Sequence, residues 1–352
     1  MRAMTRTSEP TPSSHLDLPA RPPMDPAGGV RHFRLRPHEM TDPLTATGDL
    51  MVLAHLGIPR IEPESWSLRI DGLVSRALSL GLDDLKARPK TVVETVHQCC
   101  GSPFEPRVPT RRVANVRWGG VDLAALLDEI GIDRRARFLW SYGLDGGDFR
   151  GTACDWYVKD LPLERLPAGG VLIAYELNGA PLPAEHGYPA RLVVPGYYGT
   201  NSVKWLWRLH LAEHRADGLF TTALYNDDSD AAGIAAGMAA RQPVWAIAPE
   251  AIIVAPAPGA AVATGEPTEI WGWCWSFRGI ARVEVSVDGG TSYRQAVLAP
   301  KRGWAWQRFS LPWRPADRGA VRLSVRAFDV DGQAQPLDGM RNAVHTVDVV
   351  VR

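Results

Sequence analysis

The chain has 352 residues, with 45% hydrophobic and 22% charged side chains, proportions that exclude a disordered or collagen-like chain. Lysine plus arginine balances aspartate plus glutamate at 39 each, which argues against a dedicated nucleic-acid binder or a basic membrane-surface protein. No apolar run approaches the roughly 18 residues that would suggest a membrane span.

Residues 1–44, rich in Ser, Thr and Pro, read as a disordered or extended tail. No apolar stretch follows its early arginines, so it does not read as a secretory signal or twin-arginine leader, and the expected location is the cytoplasm. From Trp66 the text is mixed α and β. SWSLRIDGLV alternates and ends at a glycine, predicting a strand and turn. LDDLKARP predicts a short helix stopped by Pro89, and TVVETVHQ a β-branched strand running directly into Cys99. VDLAALLDEIG has apolar residues at helical spacing and Gly131 at its stop, predicting an amphipathic helix with a glycine C-cap. GVLIAYELNGAPL predicts a strand broken by a turn at Asn178–Gly179, and ARLVVPG a short buried strand.

The character changes near Gln242. ARVEVSVDGGTSYRQAVL, WAWQRFSLPW, VRLSVRAFDV and HTVDVVV are strand-like runs at regular spacing with Asp-Gly turn signals. They predict an antiparallel sandwich of immunoglobulin type, about 100 residues long. The expected fold class is therefore α+β, with an α+β domain over residues 45–241 followed by an all-β domain over 242–352.

The cysteines are Cys99, Cys100, Cys154 and Cys274. They are too few for a disulfide framework and form no CxxC pair. Cys154 and Cys274 read as small core residues. Cys99, a thiol where a strand enters the loop HQCCGSPFEP, reads either as a nucleophile, redox thiol or soft-metal ligand, or as one more core cysteine. In EHGYPARLVVPGYYGTNSVKWLWRLHL, His186 and Arg191 flank a turn and Lys204 follows the loop Gly196–Asn201. One imidazole, one guanidinium, one ammonium and a loop of backbone N–H groups suit a phosphorylated cofactor, and equally describe a solvated surface turn.

These segments together resemble the sulfite oxidase family of molybdenum enzymes over residues 45 to 350: HQCCGS, LIAYELNGAPLPAEHGYPARLVVPGYYGTNSVKWL, ARVEVSVDGGTSYRQAVL and WAWQRFSLPW. The resemblance implies a molybdopterin-binding domain followed by an immunoglobulin-like domain that makes a homodimer. It places the family's Gln-Cys-Ala-Gly-Asn motif on Gln98, Cys99, Cys100, Gly101 and Ser102, and so implies Cys99 as the thiolate ligand of molybdenum. It implies His55, Asp145, His186, Arg191, Ser202, Val203 and Lys204 as contacts to the molybdopterin, and Tyr225 as a catalytic group beside the substrate.

Two departures stand out. Leu53 and Phe104 occupy positions where sulfite-oxidising members carry arginine. Arg107, Arg111 and Arg112 are the available replacements. No haem-binding segment is visible before the molybdenum domain, so the expected electron partner is a separate protein. The expected activity is two-electron oxygen-atom transfer on a small molecule with an altered anion pocket. The rival reading is a non-catalytic cofactor-binding or interaction protein with a degenerate pocket.

Overall fold

Strands dominate the chain, because its apolar residues alternate far more often than they recur at helical spacing. The computed structural model describes residues 19–101, 110–227 and 242–352. Its α-helices among these are short, Leu82–Lys86 and Leu123–Ile130. The longer one is the amphipathic helix read from the sequence. The Asp122 carboxylate accepts the Ala125 N–H at its start, Leu123, Leu126, Leu127 and Ile130 are buried, and Gly131 ends it at φ 74°. Among the described residues no helix is long and apolar enough to cross a membrane.

Two sheets enclose the first core. One has the order Tyr157–Pro162, Phe138–Gly143, Leu206–Ala212, Leu68–Gly72, Leu78–Leu80. Its only parallel pair is Leu206–Ala212 with Leu68–Gly72. The other has the order Ala180–Pro181, Leu172–Leu177, Val113–Asp122, Thr91–Gln98, with Arg191–Val193 also paired to Leu172–Leu177. Leu68, Ile70, Leu123, Leu139, Ile173, Leu192 and Leu209 fill the space between them with no solvent exposure. Within the segment expected as a tail, Met24–Ala27 pairs with Gly57–Pro59 and Val30–His32 with Val52–Ala54. Two short stretches of it, Met24–Ala27 and Val30–His32, are thus sheet-paired. Its Pro and Gly content hid two very short edge strands, where Pro is tolerated. Residues 1–18 lie outside the described residues.

The C-terminal residues form two further sheets. One orders Glu250–Ala255, Thr268–Trp275, Gln307–Trp313 and Val297–Leu298. The other orders Ala261–Val262, His345–Val351, Gly319–Asp329, Ile280–Ser286 and Arg294–Gln295. Ile253, Ile270, Cys274, Val283, Phe309, Leu323 and Val325 pack between them.

The first of these sheets is buried on both faces, and the alternation of Thr268–Trp275 shows why. Ile270 and Cys274 point into the second core, whereas Trp273 and Trp275 point the other way. Trp273, Trp275 and Trp306 join Val96, Cys100, Val113 and Tyr198 in a third cluster between the two halves. Their indole N–H groups donate across it, from Trp273 to Met40 O at 2.7 Å, from Trp306 to Pro43 O at 2.9 Å and from Trp275 to Gln98 Oε1 at 2.7 Å. Trp273, Trp275 and Trp306 therefore serve the seam within one chain, while Trp313 packs in the second core.

Candidate functional site

The residues singled out in the sequence come from five separate segments, and the fold brings them to one cavity. His55, Cys99, Asp145, His186, Arg191, Ser202, Val203, Lys204 and Tyr225 all line it. No residue from 242 onward does.

Cys99 stands immediately after strand Thr91–Gln98, and its N–H donates to Arg112 O at 2.9 Å. Its sulfur accepts the Gly101 N–H at 3.3 Å. Several donors hold its thiol below the ordinary range: first the Cys100 thiol, then, against the opposing effect of burial, the Gly101 N–H and the Arg112 guanidinium. Cys100 is pushed the other way by its bond to Cys99 and by burial. Of the two thiols, Cys99 is therefore the one favoured as thiolate.

The basic wall is built around a close approach. The 3₁₀ turn Ala184–His186 ends at Gly187, φ 106°, where a Cβ would lie 3.1 Å from the Cβ atoms of both Arg191 and Lys204. Arg191 is buried and donates to His186 O at 3.0 Å and Ser202 O at 2.8 Å. Lys204 donates to Leu53 O at 3.0 Å and Glu185 O at 2.8 Å, and lies 4.2 Å from the Trp205 ring centre. Burial pulls Arg191 down to about 9 and His186 down to about 3. It also lowers Lys204 and raises Asp145, which share this wall. Ser202 Oγ accepts the Val194 N–H at 3.0 Å, which fixes the loop between them.

In the same cavity the Tyr225 hydroxyl is hydrogen-bonded to His55 Nε2. Burial lowers His55 to about 4 and raises Tyr225 far above its usual range. At neutral pH the imidazole is therefore uncharged and the phenol keeps its proton. Tyr225 and Trp205 both have positive φ, 58° and 50°. For bulky residues that conformation costs about 1–2 kcal/mol each, and it is met mainly where function over-determines the backbone.

Several lining residues carried no separate sequence signal. His97 and Cys99 are two apart at one strand end, so the period of two places both on one side. Applied there, that rule would have found His97. Tyr157, Thr200 and Trp205 lie in or beside ordinary strands and loops. Among the proposed arginine replacements, Arg111 turns away: its Nε lies 3.1 Å from Glu250 Oε1, both side chains fully buried, and it donates to Ala343 O and Val344 O at 3.2 and 3.3 Å. Arg112 turns towards the site, with Nη1 only 2.5 Å from where a Gly101 Cβ would be. Leu53 lines the cavity and pairs in register with exposed Arg31. Ser102, Phe104 and Arg107 lie outside the described residues.

Residues 55–220 match the family model described as an oxidoreductase molybdopterin binding domain, and residues 241–349 match the Mo-co oxidoreductase dimerisation domain. The chain is 33% identical to mitochondrial sulfite oxidase of Mus musculus over 331 residues, 84% of this chain and 60% of that protein. It is 34% identical to sulfite oxidase of Gallus gallus over 316 residues, 80% of this chain and 66% of that protein. It is 31% identical to mitochondrial sulfite oxidase of Macaca fascicularis over 378 residues, 97% of this chain and 68% of that protein. The chain thus spans about three fifths to two thirds of the length of these relatives. Among solved structures, the sulfane dehydrogenase SoxCD from Paracoccus pantotrophus superposes with a TM-score of 0.74 at 25% identity, covering 97% of this chain and 92% of that one.

Proposed function

Because this chain belongs to the sulfite oxidase family of molybdopterin-dependent oxidoreductases, we propose that the cavity holds a molybdenum–molybdopterin group and that the protein is an oxidoreductase acting on a small substrate. The observation that carries this reading is the convergence of Cys99, the basic wall and Tyr225 on one cavity.

The donor set fits the group. Among the described residues no three His, Cys, Asp or Glu side chains converge as a metal cage. A metal here would rest on the single Cys99 thiolate, with its other ligands supplied by the group it arrives in. Arg191 and Lys204 donate to backbone carbonyls and are desolvated beside each other and His186. Such charge is costly to bury without an anion, and a pterin phosphate would supply one.

The group, when bound, supplies two-electron oxygen-atom exchange between a substrate and water. The chain's own residues hold and orient. Cys99 anchors the metal and tunes it. His186, Arg191 and Lys204, with Ser202 and Val203, fix the phosphate end. His55 and Asp145 border the ring system. Tyr225 Oη, kept protonated by burial and accepting the Nε2–H of a neutral His55, donates a hydrogen bond to the substrate. Among the described residues Arg112 lies beside Cys99, and Leu53 lines the cavity at a position where the resemblance leads one to expect arginine. We therefore read the pocket as weakened for sulfite and open to neutral or organic substrates through its Leu53 and Ala54 wall.

The same reading assigns residues 45–241 to cofactor binding and 242–352 to an immunoglobulin-like domain that pairs two copies; its two facing sheets, antiparallel except where Ala261–Val262 pairs with His345–Val351, support that type. Electrons leave to a separate protein. Assays with an artificial electron acceptor over a panel of sulfite, sulfoxides and thioethers test the activity. Turnover of any of these that disappears in Cys99→Ser supports it, and no turnover with any of them by molybdenum-loaded protein overturns it.

A further inference from the structure

The C-terminal residues do not line the cavity, yet one side chain from the turn before strand His345–Val351 reaches the peptide that donates to the Cys99 sulfur. We propose that Arg341 is a positioning residue that sets the electron donation of the Cys99 thiolate; this rests on Cys99 being the metal ligand.

Arg341 Nε donates to Cys100 O at 2.6 Å. That carbonyl belongs to the Cys100–Gly101 peptide, and the N–H at the other end of the same peptide donates to Cys99 Sγ at 3.3 Å. A peptide is planar, so fixing its C=O fixes the direction of its N–H. A cation on the C=O also polarises the unit and strengthens the N–H as a donor. Arg341 therefore acts on the sulfur through one peptide plane. The rest of its fork is locked: Nη1 and Nη2 bind Asp227 Oδ2 and Oδ1 at 2.6 and 2.8 Å, and the guanidinium carbon lies 5.4 Å from the Tyr198 ring centre. Asp227 follows Tyr225 by two residues on the strand Asn226–Asp227. The same guanidinium thus joins the turn that carries the thiolate to the strand that leaves the tyrosine.

The neighbouring residue holds the other side of Cys99. Asn342 Oδ1 accepts from Gln98 Nε2 at 3.0 Å, and Asn342 Nδ2 donates to the Tyr198 hydroxyl at 3.0 Å and to Ala248 O at 3.1 Å. Asn342 is fully buried, with φ 62°. The residues on both sides of Cys99 are therefore fastened from one C-terminal turn, and the Arg341 contact ends on the peptide that donates to sulfur.

Hydrogen bonds to a ligating sulfur withdraw electron density and raise the reduction potential of the metal. The test is a redox titration followed by electron paramagnetic resonance on molybdenum-loaded protein, with molybdenum counted per chain. In Arg341→Met the potential should move negative while molybdenum content stays within about twofold of the parent. Arg341→Lys, which keeps a donor for Cys100 O, should recover part of the shift. Asp227→Asn, which breaks the same ion pair but leaves the Nε bond, should not move it. An unchanged potential in loaded Arg341→Met, or an equal shift in Asp227→Asn, overturns the inference. If Arg341→Met does not fold, Arg341→Lys decides alone against Asp227→Asn: it must shift negative where Asp227→Asn does not. A parent protein without molybdenum would instead overturn the cofactor reading on which the inference rests.

Discussion

Arg191 lies with its guanidinium carbon 4.7 Å from the Trp118 ring centre, and among the described residues its donated hydrogen bonds end on backbone carbonyls. Trp118 is itself without solvent exposure. A guanidinium stacked on a buried indole keeps its orientation without a carboxylate, so its charge remains available to a ligand anion.

From this follows a prediction on cofactor retention. Arg191→Met and Lys204→Met should each lower molybdopterin content about tenfold or more, since a hydrogen bond to a charged group is worth about 1.5–3 kcal/mol. The cofactor-free variants should melt within a few degrees of the cofactor-free parent, because each substitution removes a desolvated charge together with the hydrogen bonds that held it. Pterin fluorescence after acid release and thermal melts measure the two effects. Full cofactor content in both variants would contradict the role given to this wall.

Protonation of buried imidazoles should limit acid stability. Burial holds His186 at about 3 and, with Arg111 and His38 nearby, holds His345 well below 6.5. His345 Nδ1 accepts the Ile253 N–H at 3.0 Å, which needs the neutral ring. Below about pH 6.5 the unfolded chain binds protons that the folded chain refuses, so stability falls as pH falls from about 6.5 towards 4. Asp145, raised by burial, has the opposite sign. His345→Asn keeps an acceptor and removes the titration. Its urea midpoint should change less between pH 7.5 and 5 than that of the parent, and parallel profiles would contradict the assignment.

Arg112 should govern what oxyanion binding the pocket retains. Arg112→Ala should leave molybdenum content unchanged and lower kcat/KM for sulfite by about 10- to 100-fold, the loss of one charge-assisted contact. The parent should itself be slower on sulfite than relatives that carry arginine at the Leu53 and Phe104 positions. Steady-state assays with ferricyanide as acceptor measure both, and sulfite turnover by the parent equal to theirs would contradict the altered pocket.

Pairing of two chains should depend on the C-terminal residues. Sedimentation at micromolar concentration should report a dimer. Because Trp273, Trp275 and Trp306 are committed to the seam within one chain, Trp306→Ala should destabilise the fold without producing stable monomer. A parent that sediments as a monomer would contradict the assignment.

Much of this was legible in the sequence because local signals and global packing agree. The Leu123–Ile130 helix, the strand before Cys99 and the Asn178–Gly179 turn all stand where propensity and period place them. That His186, Arg191 and Lys204 share one cavity with Cys99 was suggested by the family resemblance, since the local pattern alone describes a solvated turn equally well. What stayed hidden depends on contacts between distant segments. The alternation of Trp271, Trp273 and Trp275 says that one face is aromatic, but not that the N-terminal half covers it. Nothing local distinguishes Arg111, which turns to Glu250, from Arg112, which turns to Cys99, because neighbours on an extended chain point to opposite sides. The tie from Arg341 to Cys100 likewise exists only once both halves are folded.

The most direct test of the account is the molybdenum content of protein purified from a host that makes the cofactor, measured on the parent and on Cys99→Ser. The account predicts about one molybdenum per chain in the parent, with loss of activity and of most of the metal in Cys99→Ser while the melting profile keeps a folded transition. Parent protein that is folded, active and free of molybdenum would contradict it.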